Sequence, residues 1–165
     1  MASCDSCQRN KASNQVSSGL IQLLPIPKKN WDEISMDLIV QLPKTKNGND
    51  AIVVFVDRMS KMVHFQATKT NATAPDIAGI FFDTVFRLHG MPSVIVSDRD
   101  TKFTSLFCKA LFKCIGTKLA MSTAFHLETD GQTERNNWTL KQMLRNYVNY
   151  QQNDWDQHLA AAEFA

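Results

Sequence analysis

Three carboxylates in this chain are placed where they could do chemistry. Asp37 interrupts an otherwise apolar segment, Asp98 directly follows a short apolar run, and Glu134 lies near the start of a long helical pattern. A carboxylate is costly to bury without a partner, and the carboxyl ends of parallel strands are where ligands bind in α/β sheets. Three clustered acids would repel one another unless a cation lay among them.

Oxygen ligands favour a hard cation, so such a cluster predicts Mg²⁺ or Mn²⁺. Two ions about 4 Å apart would clamp a phosphodiester, one activating the attacking water or hydroxyl and the other stabilising the leaving oxygen. Each acid also has a plainer interpretation: Asp37 paired with a Lys or Arg, Asp98 as a turn or cap residue, and Glu134 as a charge favoured at a helix N-terminus. Rival acids lie at other strand ends or turns: Asp57, Asp100 and Asp130.

The elements that must position these acids begin with a run of strands. Apolar runs predict strands over residues 34–40, 51–56 and 62–65, which we expect to pair antiparallel. A helix then starts at Thr73, with Asp76 placed to cap back on it. Apolar residues recur along that helix at helical spacing: Ile77, Ile80, Phe81, Val85 and Leu88.

The second half of this region alternates strands with helices. Residues 94–96 predict a strand parallel to the first, a helix follows over about 105–114, and residues 118–121 predict a last short strand. A long helix then runs to about Tyr150. Its predicted apolar stripe consists of Leu140, Leu144, Tyr147 and Val148. The order β-β-β-α-β-α-β-α-α predicts an α/β protein with an RNase H-like mixed five-stranded sheet flanked by helices.

In that topology the first and fourth strands are neighbours. Asp37 and Asp98 would then face each other, and a helix packed across the same edge would bring in Glu134. The predicted fold therefore gathers the three acids that the chemistry needs.

Several short motifs together resemble one family. They are Trp31-x-x-Ile34-Ser35-Met36-Asp37, Val56-Asp57-Arg58-x-Ser60-Lys61, His89-Gly90-x-Pro92, Val96-Ser97-Asp98-Arg99-Asp100, Ser122-Thr123-Ala124-Phe125-His126, Thr129-Asp130-Gly131-Gln132-Thr133-Glu134-Arg135 and Ala162-Glu163-Phe164-Ala165. With them the chain resembles the catalytic core of a retroviral-type integrase of the DDE family, in particular that of gypsy-type LTR retrotransposons. The resemblance implies that Asp37, Asp98 and Glu134 form the catalytic and metal-binding triad. The 35 residues between Asp98 and Glu134 match the family spacing.

The resemblance also implies an activity and its partners. The expected enzyme hydrolyses a phosphodiester near the 3′ end of element DNA and transfers that end into target DNA, using Mg²⁺ or Mn²⁺. We expect DNA and further copies of the chain as partners, and a nuclear location with the integration complex or a cytoplasmic one in particles. A catalytically silent or domesticated DNA-binding or dimerising scaffold is the alternative, and a stand-alone RNase H-like nuclease is a third reading.

Basic and aromatic residues of the long helix predict a DNA-binding surface. Four residues at 4-3-4 spacing share one face of that helix: Glu134, Trp138, Lys141 and Arg145. Lys141 stands where the family has a lysine that contacts the element's DNA end, and Arg135 is a further candidate. The plainer readings are a solvated face for Arg145 and partial core packing for Trp138, which could otherwise stack on a base or sugar.

Residues 1–30 differ in composition from the rest. Cys4 and Cys7 form a C-x2-C that resembles the second half of the family's zinc-binding N-terminal module, but all four histidines lie downstream. Because a zinc site needs four ligands, we expect zinc to be unlikely in this chain. Residues 1–30 are thus predicted to be a remnant of that module plus a linker, and residues 31–165 a C-terminally truncated core.

Composition bounds the class of protein. Hydrophobic residues make up 44% of the chain and charged residues 21%, with a net charge of +2. These values are typical of a globular domain and argue against a disordered tail or a disulfide scaffold. No apolar run approaches the length of about 20 residues that a membrane span needs, and no secretory signal follows Met1, so we expect no membrane partner.

Overall fold

The computed structural model describes residues 29–97, 101–115, 124–126 and 131–164. Within these ranges, side chains are described except at 101–104, 112, 114–115, 124–126 and 131–134. Cys4, Cys7 and Asp98 lie outside the described residues, so the zinc half-motif and the predicted division at residue 30 stay predictions.

The strands form one mixed sheet. β1 (Glu33–Ile39), β2 (Ala51–Asp57) and β3 (Val63–Thr68) make an antiparallel meander, and β4 (Val94–Ser97) pairs parallel with β1. A three-residue strand, β5 (Ala124–His126), pairs parallel with β4 at the edge, which gives the order β3-β2-β1-β4-β5. The predicted meander and the predicted pairing of the first and fourth strands are confirmed.

One predicted strand lies outside the described residues, and the structure describes another strand close to it. The sequence pattern placed the last strand at residues 118–121, whereas the described strand is Ala124–His126. Residues 116–123 lie outside the described part of the chain. The described strand pairs in parallel with β4, with Ile95 opposite Phe125, and the predicted strand at 118–121 stays a prediction.

Helices cover both faces of the sheet. The helix α1 (Ala74–Phe81) continues through a π-helical turn (Phe82–Phe86) to a last segment (Arg87–His89). α2 (Thr101–Ile115) follows β4, and α3 (Gly131–Tyr147) follows β5. A 3₁₀ turn (Trp155–His158) leads into α4 (Leu159–Phe164). Among the described helices, none is long and apolar enough to cross a bilayer.

The start of α1 confirms the predicted cap, and its end departs from the predicted stripe. The Asp76 carboxylate accepts hydrogen bonds from the Thr73 N–H at 2.8 Å and the Thr73 hydroxyl at 2.7 Å. Ile77, Phe81 and Val85 are buried, but Leu88 is 57% exposed. The reason is the π-helical turn, which inserts wider i→i+5 spacing and rotates later residues away from the core.

Two apolar cores lie on the two faces of β2. All seven β2 residues are buried. Because side chains alternate along a strand, Val53 and Phe55 pack beneath α1 and α2, while Ile52, Val54 and Val56 pack on the side of α3 and α4. Complete burial of one such side chain contributes about 1.5–3 kcal/mol, so β2 anchors the whole sheet.

The face of α3 that meets this second core differs slightly from the prediction. Leu140 and Leu144 are buried as predicted and Val148 packs against them, but Tyr147 is 63% exposed. The buried row follows four-residue spacing from Leu140 through Leu144 to Val148, whose N–H still donates to the Leu144 carbonyl at 2.9 Å, and Tyr147 lies to one side of that row.

Candidate active site

Asp37 lies on the face of β1 that α3 covers. Side chains alternate along a strand, so Asp37 shares its face with Ile39, which belongs to the same core cluster as Leu140 of α3. The partly buried Asp37 side chain accepts two described hydrogen bonds. Its Oδ1 accepts from the Leu38 N–H at 2.7 Å, and its Oδ2 accepts from the Asn137 amide of α3. These partners are neutral, unlike the Lys or Arg that the plainer reading of Asp37 required.

Asn137 is the residue of this site that the sequence reasoning missed. It is only 8% exposed. Its Nδ2 donates to Asp37, and its own Oδ1 is buried with no hydrogen-bond partner within the described part of the chain. The available signal was its spacing, because it follows Glu134 by three residues and therefore lies on the same side of the helix. A neutral amide there can hold Asp37 in one orientation without cancelling its charge.

The structure describes the backbone but not the side chain of Glu134, and it does not describe Asp98. Glu134 lies in α3, one turn before Asn137, but its side chain is not described. β4 pairs Ser97, the residue directly before Asp98, with Met36, the residue directly before Asp37. Asp98 itself lies outside the described residues. The assignment of Asp98 and Glu134 to one site with Asp37 therefore stays a prediction.

Asp57, a rival from the sequence, has a structural role. It is fully buried, and its carboxylate accepts from the Trp31 N–H at 3.0 Å, the Met59 N–H at 3.2 Å, and both the N–H and the hydroxyl of Ser60. Burial raises the pKa of Asp57, but the hydrogen bonds from Ser60, Trp31 and Met59 outweigh it and leave the pKa below its usual value. With its oxygens occupied, Asp57 closes the β2–β3 turn. Asp100 and Asp130 lie outside the described residues.

The surroundings of Asp37 suit a hard divalent cation. An ionised carboxylate offers about four lone-pair positions, and the described contacts of Asp37 use two. Oxygen donors of this kind are preferred by Mg²⁺ and Mn²⁺. Among the described side chains, no three His, Cys, Asp or Glu residues gather into a metal-binding group. A complete ligand set would therefore need the predicted Asp98 and Glu134.

A groove with a volume of about 330 Å³ lies between α3 and the segment after β1. Val40, one of its lining residues, follows Asp37 by three positions, or roughly 10 Å of extended chain. The buried Trp155 forms part of the lining, and the exposed cations Lys141 and Arg145 line the groove as well. Two of the predicted DNA-binding residues thus line a concave surface that begins three residues after Asp37.

The other two predicted DNA-binding residues are also accessible. Trp138 is 42% exposed, and Arg135 is exposed at the start of the described side chains of α3. Trp138 belongs to neither of the two described core clusters, which weakens its reading as a core residue. DNA contact by Arg135, Trp138, Lys141 and Arg145 stays a prediction.

Known proteins similar to this chain come from transposons and retroviruses. No family model matches the chain. It is 34% identical over 160 residues to the Transposon Tf2-3, Tf2-4 and Tf2-5 polyproteins of Schizosaccharomyces pombe. The alignment covers 97% of the chain and 12% of each polyprotein, so the chain spans only a small part of the length of these relatives.

Solved retroviral structures share its fold. The cryo-EM structure of the simian T-cell lymphotropic virus intasome with the PP2A regulatory subunit B56 gamma matches with a TM-score of 0.60 and 24% identity, over 98% of this chain and 56% of that chain. The HTLV-2 integrase catalytic core domain, solved in complex with magnesium in a dimeric form, matches with a TM-score of 0.59 and 20% identity, over 82% and 85% respectively. The mixed sheet, its helices and these neighbours define an RNase H-like α/β fold of the integrase-core type.

The sequence relationship is more particular than the fold. The chain is homologous to the integrase region of Ty3/gypsy-type transposon polyproteins, as its alignment with the Tf2 polyproteins shows. The resemblance drawn from its motifs is thereby confirmed.

Proposed function

We propose that this chain is the catalytic core of a retroelement integrase, a polynucleotidyl transferase that cleaves element DNA near its 3′ end and joins that end to target DNA. The observation that carries the proposal is the packing of α3 on β1, which brings Asn137, one turn after Glu134, against Asp37. The parallel register that ends with Ser97 beside Met36 supports the inclusion of Asp98.

Asp37, Asp98 and Glu134 are the proposed ligands for Mg²⁺ or Mn²⁺. Bound there, the ion supplies Lewis-acid stabilisation of phosphodiester oxygens and lowers the pKa of the attacking water or hydroxyl. The chain's own contribution is to orient the acids, and the Leu38 N–H and the Asn137 amide fix the two oxygens of Asp37. The similarity to a core domain solved with magnesium supports this choice of ion.

The chemistry consists of two displacements at phosphorus. In the first, water attacks a phosphodiester near the end of the element and the bond to the 3′-oxygen breaks, which leaves a 3′-hydroxyl end. In the second, that hydroxyl attacks target DNA and displaces a 3′-oxygen there. Neither step forms a bond to the protein, so the acids have only to hold and orient the reacting groups.

DNA would run along the exposed face of α3. Lys141 and Arg145 would meet phosphates beside the groove, with Arg135 and Trp138 nearer Glu134. The proposed assembly is a homo-oligomer, since one structural neighbour is described as an intasome and another as dimeric, and the proposed location is the nucleus. Lys and Arg contacts of this kind give sequence-independent, salt-sensitive affinity.

The test is a disintegration assay with Mn²⁺ on a branched DNA substrate, using the full chain. Asp37→Asn, Asp98→Asn and Glu134→Gln should each abolish strand cleavage and joining. The matched control is Asp83→Asn, because Asp83 is an exposed acid of the π-helical turn, and it should keep parental activity. Loss of activity in the control as well, or turnover in any of the three triad variants, would contradict the proposed triad. An inactive parent that still binds DNA would favour the silent scaffold.

A further inference from the structure

A histidine pair that the proposed function does not use lies on the opposite face of the sheet from Asp37. His64 of β3 pairs with Phe55 of β2, which pairs with Met36 of β1. Paired residues share a face and adjacent residues alternate, so His64 lies on the face opposite to Asp37. His89 comes from the last segment after α1, and the Nε2 atoms of the two rings are 2.8 Å apart.

Both rings are held by other groups. Glu163 of α4 places Oε1 2.5 Å from Nδ1 of His64 and accepts a hydrogen bond from the Phe65 N–H at 3.2 Å through Oε2. An ionised carboxylate on Nδ1 selects the tautomer in which the Nε2 lone pair points away. The His89 ring stacks on Trp31 with its centroid 3.9 Å away and an interplanar angle of 3°.

We propose that His64 and His89 bind a borderline divalent transition-metal ion, represented by Zn²⁺, between their Nε2 atoms. Neutral imidazole nitrogen is a preferred ligand of such ions, and Zn–N bonds of about 2.0–2.1 Å in a tetrahedral site would set the two nitrogens about 3.3 Å apart. The two ring centroids are now 5.1 Å apart and the Nε2 atoms face each other at 2.8 Å, so the rings would have to turn as the separation opens for both lone pairs to converge on the ion. A carboxylate on the far nitrogen of a ligating histidine is the usual second partner in zinc sites.

The remaining coordination positions would be filled by water. The contact between the two rings is exposed, and Asp57, the nearby acid, has its oxygens occupied by Trp31, Met59 and Ser60. Glu163 would orient His64 and would not bind the ion itself, so the chain supplies two ligands. This agrees with the finding that no three metal-binding side chains gather among the described residues. The proposed site is separate from Cys4 and Cys7, whose incomplete motif gave the expectation that zinc is unlikely in this chain. A bound ion would link β3 to the end of α1 and, through Glu163, to α4.

The experiment uses the full chain with Cys4→Ser and Cys7→Ser, which removes the other candidate zinc ligands. ZnCl₂ is titrated by calorimetry, and thermal unfolding is followed with and without the ion. We expect about one zinc per chain and a zinc-dependent rise in Tm. Both should be lost in His64→Gln and in His89→Gln, and Glu163→Gln should weaken binding by about 10–100-fold.

The matched control is His158→Gln, because His158 lies in the 3₁₀ turn beside Asp154 and outside this cluster. It should bind zinc like the parent, and so should Asp98→Asn, which separates this site from the proposed catalytic one. Imidazole ¹⁵N spectra of the parent keep the test decisive if a variant unfolds, since zinc should shift the Nε2 signals of His64 and His89. No binding by the parent, shifts confined to other histidines, or unchanged binding in His89→Gln would show that the pair is only a hydrogen bond.

Discussion

Asp37 and Asp57 lie on neighbouring strands, and the hydrogen bonds around each one decide what it can do. Asp57 is fully buried and accepts hydrogen bonds from Trp31, Met59 and Ser60. Its carboxylate therefore stabilises the turn after β2. Asp37 is partly buried with two described neutral donors, so it keeps lone pairs for a ligand. A partly buried carboxylate with lone pairs still available is the better candidate for chemistry.

Asn137 gives a prediction at this scale. In Asn137→Ala the carboxylate of Asp37 loses a hydrogen bond that holds it against α3. A hydrogen bond to a charged group contributes about 1.5–3 kcal/mol, so we expect the single-turnover rate in the disintegration assay to fall by about 10–100-fold at saturating DNA. DNA affinity should change little, because no phosphate contact is removed.

The control for Asn137 is its neighbour. Asn136→Ala removes the same side chain from a partly buried position that lines a different surface of α3. It should retain the parental rate. Equal rates in both variants would mean that Asn137 does not orient Asp37.

At the scale of elements, α3 has two faces with different tasks. Its buried face carries Asn137, Leu140 and Leu144 against the sheet. The exposed residues Lys141 and Arg145 line the groove. One helix therefore packs on β1 and presents cations beside the same strand.

The exposed face of α3 gives the prediction at this scale. Lys141→Ala should weaken DNA binding across all sequences and lower the slope of log affinity against log salt by about one ion. Glu134→Gln should have the opposite effect: it should abolish strand cleavage and joining, while the affinity for DNA stays the same or rises. Binding titrations at several salt concentrations measure the affinities and the salt slope, and the disintegration assay measures the loss of chemistry.

Lys109→Ala is the matched control for Lys141. Lys109 is exposed on α2, which packs on the other face of the sheet from α3. The slope of log affinity against log salt for Lys109→Ala should equal that of the parent. If both lysine variants lower the slope equally, DNA does not follow α3 in particular.

At the scale of the whole molecule, Asp57 links folding to pH. Its folded-state pKa lies below the usual value of 3.8, so the unfolded chain takes up the proton first as the pH falls. The stability that Asp57 contributes is therefore complete above its usual pKa and is lost as the pH falls through the folded-state pKa. Asp57→Asn should lower the free energy of unfolding by about 2–3 kcal/mol at neutral pH, since an amide cannot accept all of these bonds.

Urea unfolding over a pH series checks this. The difference in the free energy of unfolding between parent and Asp57→Asn should stay constant near neutral pH and shrink in acid. Asp83→Asn, at an exposed acid, is the comparison and should be close to neutral in stability. A difference that persists unchanged into acid would mean that Asp57 does not titrate as its contacts imply.

Local signals in the sequence were sufficient for most of the sheet and for the cap of α1. The β-branched run of β2 and the Thr73–Asp76 pair each act within a few residues, so their effects are visible in the chain itself. Leu88 and Tyr147 were predicted to be buried and are exposed. Periodicity assumes a regular helix, so it cannot anticipate a π-helical turn, and it does not fix how wide the buried side of a helix is.

The sequence by itself determined the α/β order, the pairing of the first and fourth strands, and the relationship to integrase cores, because these depend on apolar patterning and on motif residues. Only the tertiary structure decided that Asn137 contacts Asp37, that the oxygens of Asp57 accept hydrogen bonds from a turn, and that His64 contacts His89. These contacts join residues from different elements or depend on donors that a turn brings together. Hydrogen bonds act over about 3 Å, and only the packing of helices on the sheet brings such distant residues that close.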